Sequence, residues 1–157
     1  MIRLFSDGSV NAKTHVGFGA YVIVPENATL EALESLHVNV KEFRQTSSTT
    51  LELQTLLWAL DEVEESEEAI VIYTDSQNII TLPSRRERFE RNNYATKHKN
   101  IHEHALLYQA FYKVMDKKKC SLVKVKGHKL TSQKDDADHY FTLVDRASRE
   151  ALRKSSL

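Results

Sequence analysis

After three strand-like segments the hydrophobic period of this chain becomes helical, and that change restricts the fold more than any composition figure. Apolar side chains alternate with polar ones over 2–8 and again over 36–41, with an apolar run over 17–24 between them. Ile2, Leu4 and Phe5 mark a first strand over 2–8, Gly17 to Val24 a second that Pro25 stops, and Leu36, Val38 and Val40 a third. The turns between them are short, which favours an antiparallel meander, because a parallel return needs a long crossover. From Leu53 the spacing becomes helical, with Leu53, Leu56, Leu57, Leu60 and Val63 on one stripe and Trp58 and Ala59 completing the run. A strand over 69–74 follows, then a helix from Ser76 that Pro83 is expected to end and a polar, basic stretch from Ser84. A helix from Ile101 to Met115, a strand over 120–126 and a C-terminal helix marked by Phe141, Val144, Ala151 and Leu152 complete the order. Three strands followed by alternating helix and strand predict an α/β architecture, a five-stranded mixed sheet with helices packed on it.

At 157 residues, with no repeat, low-complexity tract or Pro/Gly linker, the expectation is one domain over 1–157 that buries its core without staples. Cys120 is the sole cysteine, so neither an intramolecular disulfide nor a cysteine-paired zinc knuckle can form. His98, His102 and His104 lack any further ligand spacing for zinc. The sequence opens directly on a strand pattern and contains no apolar run near the ~20 residues of a membrane span. A soluble, cytoplasmic protein that does not contact membrane is expected.

Formal net charge is zero, yet the charges are segregated. Residues 61–68 hold six acids and no base. Residues 117–134 carry Lys117, Lys118, Lys119, Lys124, Lys126, Lys129 and Lys134 with no acid, and residues 85–99 add Arg85, Arg86, Arg88, Arg91, Lys97 and Lys99 against Glu87 and Glu90. Charge runs are usually solvated surface, but two basic runs in a chain that also holds placed carboxylates point to phosphate binding, with Arg85, Arg86 and Arg88 as candidate contacts.

Each of those carboxylates has an ordinary reading. Asp7-Gly8 after a strand is a common turn, although here the pair lies within the strand pattern, where an unpaired inward charge is costly. Thr49-Thr50-Leu51-Glu52 reads as a capping box that would account for Glu52 without chemistry. Asp75 ends an apolar strand before a helix and would serve as an N-cap, but the carboxyl ends of strands in open sheets are also where ligands bind. Gathered in one pocket, such acids repel and their pKa values rise unless a divalent cation lies between them, and hard oxygen ligands suit Mg²⁺ or Mn²⁺.

The segments Phe5-Ser6-Asp7-Gly8-Ser9, Thr50-Leu51-Glu52-Leu53, Tyr73-Thr74-Asp75-Ser76-Gln77 and Val125-Lys126-Gly127-His128 occur in this order along nearly the whole chain. In them the chain resembles the type 1 ribonuclease H family, and four motifs in order are far more specific than any one. The resemblance implies the ribonuclease H-like fold and an endonuclease that hydrolyses the RNA strand of RNA–DNA hybrids, leaving 5′-phosphate and 3′-hydroxyl ends. It implies two Mg²⁺ ions, for which Mn²⁺ can substitute, held by Asp7, Glu52, Asp75 and a fourth carboxylate. One ion would activate a water and the other stabilise the leaving 3′ oxygen. His128 would assist proton transfer or product release. Matching to the family's motifs puts Gly8, Ser9, Ser48, Thr49, Ser76 and Gln77 beside the substrate, and the expected working form is a monomer. The alternatives are another nuclease of the superfamily acting on DNA, and an inert hybrid-binding module.

The chain departs from the bacterial pattern in three places. Ser48 and Thr49 stand where paired Asn residues usually precede the Glu. The basic segment lacks tryptophan, since the sole Trp is Trp58, so binding through it would be more electrostatic than stacking. The fourth carboxylate usually follows the His by about ten residues, which points at Asp138, whereas Asp145 lies two helical turns further on. Small residues follow Asp145 (Ala147, Ser148) and would let a helix approach the sheet, while His139, Tyr140 and Phe141 behind Asp138 are bulky. The reading favours Asp145 and keeps Asp138 as the alternative.

Overall fold

The computed structural model describes residues 1–63, 67–98, 100–126 and 131–156. Strands β1 (Ile2–Asn11), β2 (Val16–Pro25) and β3 (Asn39–Phe43) form the antiparallel meander, and β4 (Ile70–Thr74) and β5 (Cys120–Lys124) add to it in parallel. The sheet order is β3-β2-β1-β4-β5. Helices α1 (Ser48–Glu62), α2 (Gln77–Arg91), α3 (Ala105–Lys117) and α4 (Asp136–Ser155) cover the two faces.

Alternation along the central strands divides the core. Leu4 and Tyr21 join the cluster of Leu53, Leu56, Leu60, Ile72, Ile79 and Phe111 beneath α1, α2 and α3. Phe5, Ala20, Val22 and Val24 turn the other way, towards Tyr140, Phe141 and Val144 of α4. Helix α1 lies close on the sheet because β2 carries Gly19. A Cβ there would overlap the Thr55 side chain, and one at Gly8 would come 2.9 Å from Leu51.

Four expectations are corrected. The third strand begins at Asn39, because residues Leu30–Ser35 form a 3-10 turn that takes up chain before it. Leu36 and Val38 pack against the α4-side cluster and Val40 faces outward, 42% exposed. Pro83 does not end the helix, since α2 runs on to Arg91. Pro83 has no amide to offer the Ile79 carbonyl, but the helix on either side of it is tied by side-chain donors to neighbouring carbonyls. The Arg85 guanidinium donates to Asn78 O (2.9 Å), the Thr81 hydroxyl to Gln77 O (3.0 Å) and the Tyr112 hydroxyl to Leu82 O (2.7 Å). The following helix starts at Ala105, four residues beyond Ile101. Finally, Glu52 is not part of a capping box, because the N-cap of α1 is Ser47, whose hydroxyl accepts the Thr50 amide. No helix among the described residues is long and apolar enough to cross a membrane.

Candidate active site

Register and pleat place the first acids. Phe5 of β1 lies opposite Tyr73 of parallel β4, and two residues further along each strand direction stand Asp7 and Asp75. Asp7 shares the parity of Phe5, so it faces α4. On α4, Phe141, Val144 and Ser148 are buried at helical spacing around Asp145. The Ser9 and Ser148 hydroxyls lie 3.1 Å apart and the Ser148 hydroxyl donates to Asp145 O (3.1 Å), so the helix is pinned to β1 one turn from Asp145.

The result is a coupled acidic cluster. Burial and the negative charge of Asp75 push the Asp7 carboxyl from its ordinary 3.8 up to about 8. The Gly8 amide, donating to it, pulls the other way, and a hydrogen bond shared with Asp145 raises it further. Glu52 is also raised, by burial first and by Asp75, against a hydrogen bond from Ser76 that favours its charged form. Ser76, not Asp75, is the N-cap of α2, since its hydroxyl accepts the Ile79 amide at 3.2 Å. The same hydroxyl therefore caps a helix and orients Glu52. Arg149 reaches Asp145 at 3.0 Å.

Asp138 is placed differently. It is 6% exposed, and with Asp135 it forms the capping box of α4: the Asp138 carboxylate accepts the Asp135 amide (3.1 Å) and the Asp135 carboxylate accepts the Asp138 amide (2.9 Å). Asp138 is thus a buried helix cap. Asp145, not Asp138, shares the hydrogen bond with Asp7.

The substrate candidates fall into two groups. Gly8, Ser9, Ser76 and Gln77 adjoin the acids, and Ser48 and Thr49 sit in the first turn of α1. Gln77 accepts a hydrogen bond from Lys124. Arg85 turns inward onto Asn78 and over the Phe89 and Tyr108 rings (5.5 and 5.8 Å), and Arg86 makes a two-pronged pair with Asp116 of α3 (2.6 and 2.8 Å). Their charges are committed to joining α2 and α3, whereas Arg88 and Arg91 are exposed at the helix end. Gly127 and His128 lie outside the described residues. His104 is bound to Thr50 (3.0 Å), and His102 accepts the His104 amide, which leaves them in a local network.

A cavity of about 380 Å³ opens beside Asp75 and Asp145, with Lys126, Lys134 and Arg146 also lining it. The sequence held those cations within its basic runs and its α4 segment, but which of them face the acids depends on the fold.

The family model for RNase H matches residues 1–148. The chain belongs to the RNase H family. The fold agrees with this membership. The foamy viral protease-reverse transcriptase solved with an RNA/DNA hybrid superposes with a TM-score of 0.75 at 12% identity, over 95% of this chain and 19% of that one. The chain thus spans about a fifth of the length of that protein. The same protein solved with double-stranded DNA gives a TM-score of 0.64 at 14% identity, covering 94% and 92% of the two chains. The isolated PFV RNase H domain in solution gives 0.73 at 14% identity, covering 95% and 92%. No individually curated protein matches.

The donor set suits hard divalent cations. Asp7, Glu52, Asp75 and Asp145 are all oxygen ligands, and ionising Asp7 beside Asp75 is costly without a compensating positive charge. Among the described residues, no three His, Cys, Asp or Glu side chains already converge as tightly as bound ligands would. The acids are coupled through neighbours, with Asp7 facing both Asp75 and Asp145 and Glu52 facing Asp75.

Proposed function

We propose that this chain is an endonuclease that hydrolyses the RNA strand of RNA–DNA hybrids and leaves 5′-phosphate and 3′-hydroxyl ends. The observation that carries the reading is the electrostatic coupling of Asp7 with Asp75 and Asp145, with Glu52 beside them, in a member of the RNase H family. The foamy viral protease-reverse transcriptase of the same fold holds an RNA/DNA hybrid, which supports this substrate class. Hybrids present a wide minor groove that displays 2′-hydroxyls, so hydroxyl and backbone contacts can select RNA without reading sequence. Gly8, Ser9, Ser48, Thr49, Ser76 and Gln77 are the residues proposed to make them.

Asp7, Glu52, Asp75 and Asp145 would hold Mg²⁺ or Mn²⁺, which when bound supplies Lewis-acid stabilisation of the attacking and leaving oxygens. The rest is positioning by the chain. The Gly8 amide holds the Asp7 carboxylate, Ser76 orients Glu52, and the Ser9–Ser148 contact fixes the helix that carries Asp145. His128 is proposed to carry a proton to or from the product. Hydrolysis adds the water oxygen to phosphorus, breaks the bond to the 3′ oxygen and leaves that oxygen protonated.

A gel assay on end-labelled hybrid, DNA duplex and RNA duplex tests the reading. The expected result is cutting of the RNA strand of the hybrid alone, abolished by excess chelator and restored by Mg²⁺ or Mn²⁺. Equal cutting of DNA duplex would move the chain to the DNA-acting nucleases, and no cutting with either metal would leave it a hybrid-binding module.

A further inference from the structure

The cavity beside Asp75 and Asp145 has a second chemical character that cleavage of a diester does not by itself require. Lys126, Lys134, Arg146 and Arg149 line it together with Thr142 and three acids, Asp75, Asp145 and the helix-capping Asp138. Lys134 is held in place: its ammonium donates to the Thr142 hydroxyl (2.9 Å), which donates in turn to Asp138 O (2.9 Å) one turn back on α4. Lys126 lies just past β5, where the Val125 amide bonds to Thr74 O (2.9 Å) and carries the chain alongside the end of β4. Among the described residues neither Lys126 nor Arg146 makes an ion pair, whereas the Asp145 carboxylate is already met by Arg149. The cationic wall is therefore not consumed in neutralising the acids it faces.

Hydrolysis changes what the site must hold. A phosphodiester carries one negative charge, and the 5′-phosphate monoester left after the cut carries about −1.5 to −2 at neutral pH, with three acceptor oxygens in place of two. A wall of donors next to the acidic cluster meets that extra charge. We infer that this cavity is the seat of the 5′-phosphate of the newly cut RNA strand, gripped by Arg146, Lys134 and Lys126, so that the protein binds its 5′-phosphorylated product more tightly than an uncharged 5′ end. This rests on the hybrid-cleavage reading and adds to it a subsite for a terminal phosphate monoester.

The experiment is equilibrium binding of two nicked hybrids to the full chain in Ca²⁺. They are identical except that the RNA piece downstream of the nick begins with a 5′-phosphate or a 5′-hydroxyl. The parent should prefer the phosphate form by about tenfold, the size of one charge-assisted hydrogen bond. Arg146→Gln and the double variant with Lys134→Gln should bring that ratio towards one, and Arg146→Lys should keep most of it. Unchanged melting temperatures show that the variants remain folded. Arg146→Gln is the decisive variant, because Arg146 is exposed and makes no ion pair among the described residues whose loss would disturb the fold. Equal binding of the two nicked hybrids by the parent, or a ratio unaltered in Arg146→Gln, overturns the proposal. Since binding is read without turnover, a parent that cuts no hybrid would sink the nuclease reading while the phosphate ratio still decides the subsite.

Discussion

Asp145 and Asp138 share one stripe of one helix, and only their surroundings separate them. Seven residues apart, they stand about 10.5 Å from each other along the axis. Asp145 bonds to Asp7, whereas Asp138 spends its carboxylate on the Asp135 amide. Asp145→Asn is therefore expected to lower turnover by ~100-fold or more, as loss of a metal ligand does, without lowering the melting temperature. Asp138→Ala should do the reverse. It removes a helix cap worth ~1 kcal/mol, which for a chain this size lowers melting by roughly 2–4 °C, and cleavage stays within about threefold. An inactive Asp138→Ala beside an active Asp145→Asn would exchange the two roles. Asp7 gives a pH prediction for the protein in excess chelator. Its carboxyl keeps its proton up to about 8 when folded and loses it near 3.8 when unfolded. The unfolded state thus releases a proton that the folded state retains, and stability falls as pH rises from about 4 to about 8. Asp7→Asn has no such proton, so its melting temperature should overtake the parent's progressively across that window. A gap between the two that stays constant from pH 4 to 8 would contradict the burial and crowding assigned to Asp7. The sequence alone supplied the acids Asp7, Glu52 and Asp75 through their motifs. It misread the caps, because Ser47 competes with an equally plausible Thr49 two residues on and Ser76 with Asp75 one residue back, and a shift that small in helix phase is decided by packing.

At the scale of elements, what the sequence showed best was period and what it hid was context. Strand alternation and the leucine stripe of α1 survive in the structure because each follows from having one face against a core. Pro83 was misleading, since α2 is held on both sides of it by packing on α3, where the Tyr112 hydroxyl donates to Leu82 O, a contact that the linear order does not show. The approach of α1 to the sheet bears on the proposed function because α1 carries Glu52, one of the proposed metal ligands. Gly19→Ala would drive a methyl group into Thr55, pushing the helix outward at a cost of ~1–3 kcal/mol. Both melting temperature and cleavage should fall. Adding Thr55→Ala should restore much of both by making room. If the double variant is no better than Gly19→Ala alone, the close approach of α1 is not what positions Glu52.

The whole molecule carries no formal net charge, and only its folded arrangement shows which cations remain available to a polyanion. The basic segment over 85–99 looks uniform in sequence, yet the fold divides it. Arg85 and Arg86 join α2 to α3, while Arg88 and Arg91 project from the last turn of α2. Reversing all four charges would therefore confuse loss of structure with loss of binding. The informative comparison replaces Arg88 and Arg91 by Gln in one variant and Arg86 by Gln in another. Each phosphate contact contributes about 0.9 to the slope of log affinity against log salt on duplex DNA, through released counterions. If both exposed arginines touch the hybrid, Arg88→Gln with Arg91→Gln should weaken binding, reduce that slope by roughly 2 and leave the melting temperature unchanged. Arg86→Gln should lower the melting temperature, because the pair with Asp116 is lost, and leave the slope as it was. A salt slope unaltered in the Arg88, Arg91 variant would show that the end of α2 lies off the nucleic acid, and would leave the lysines past β5 and the arginines of α4 as the molecule's phosphate-binding face.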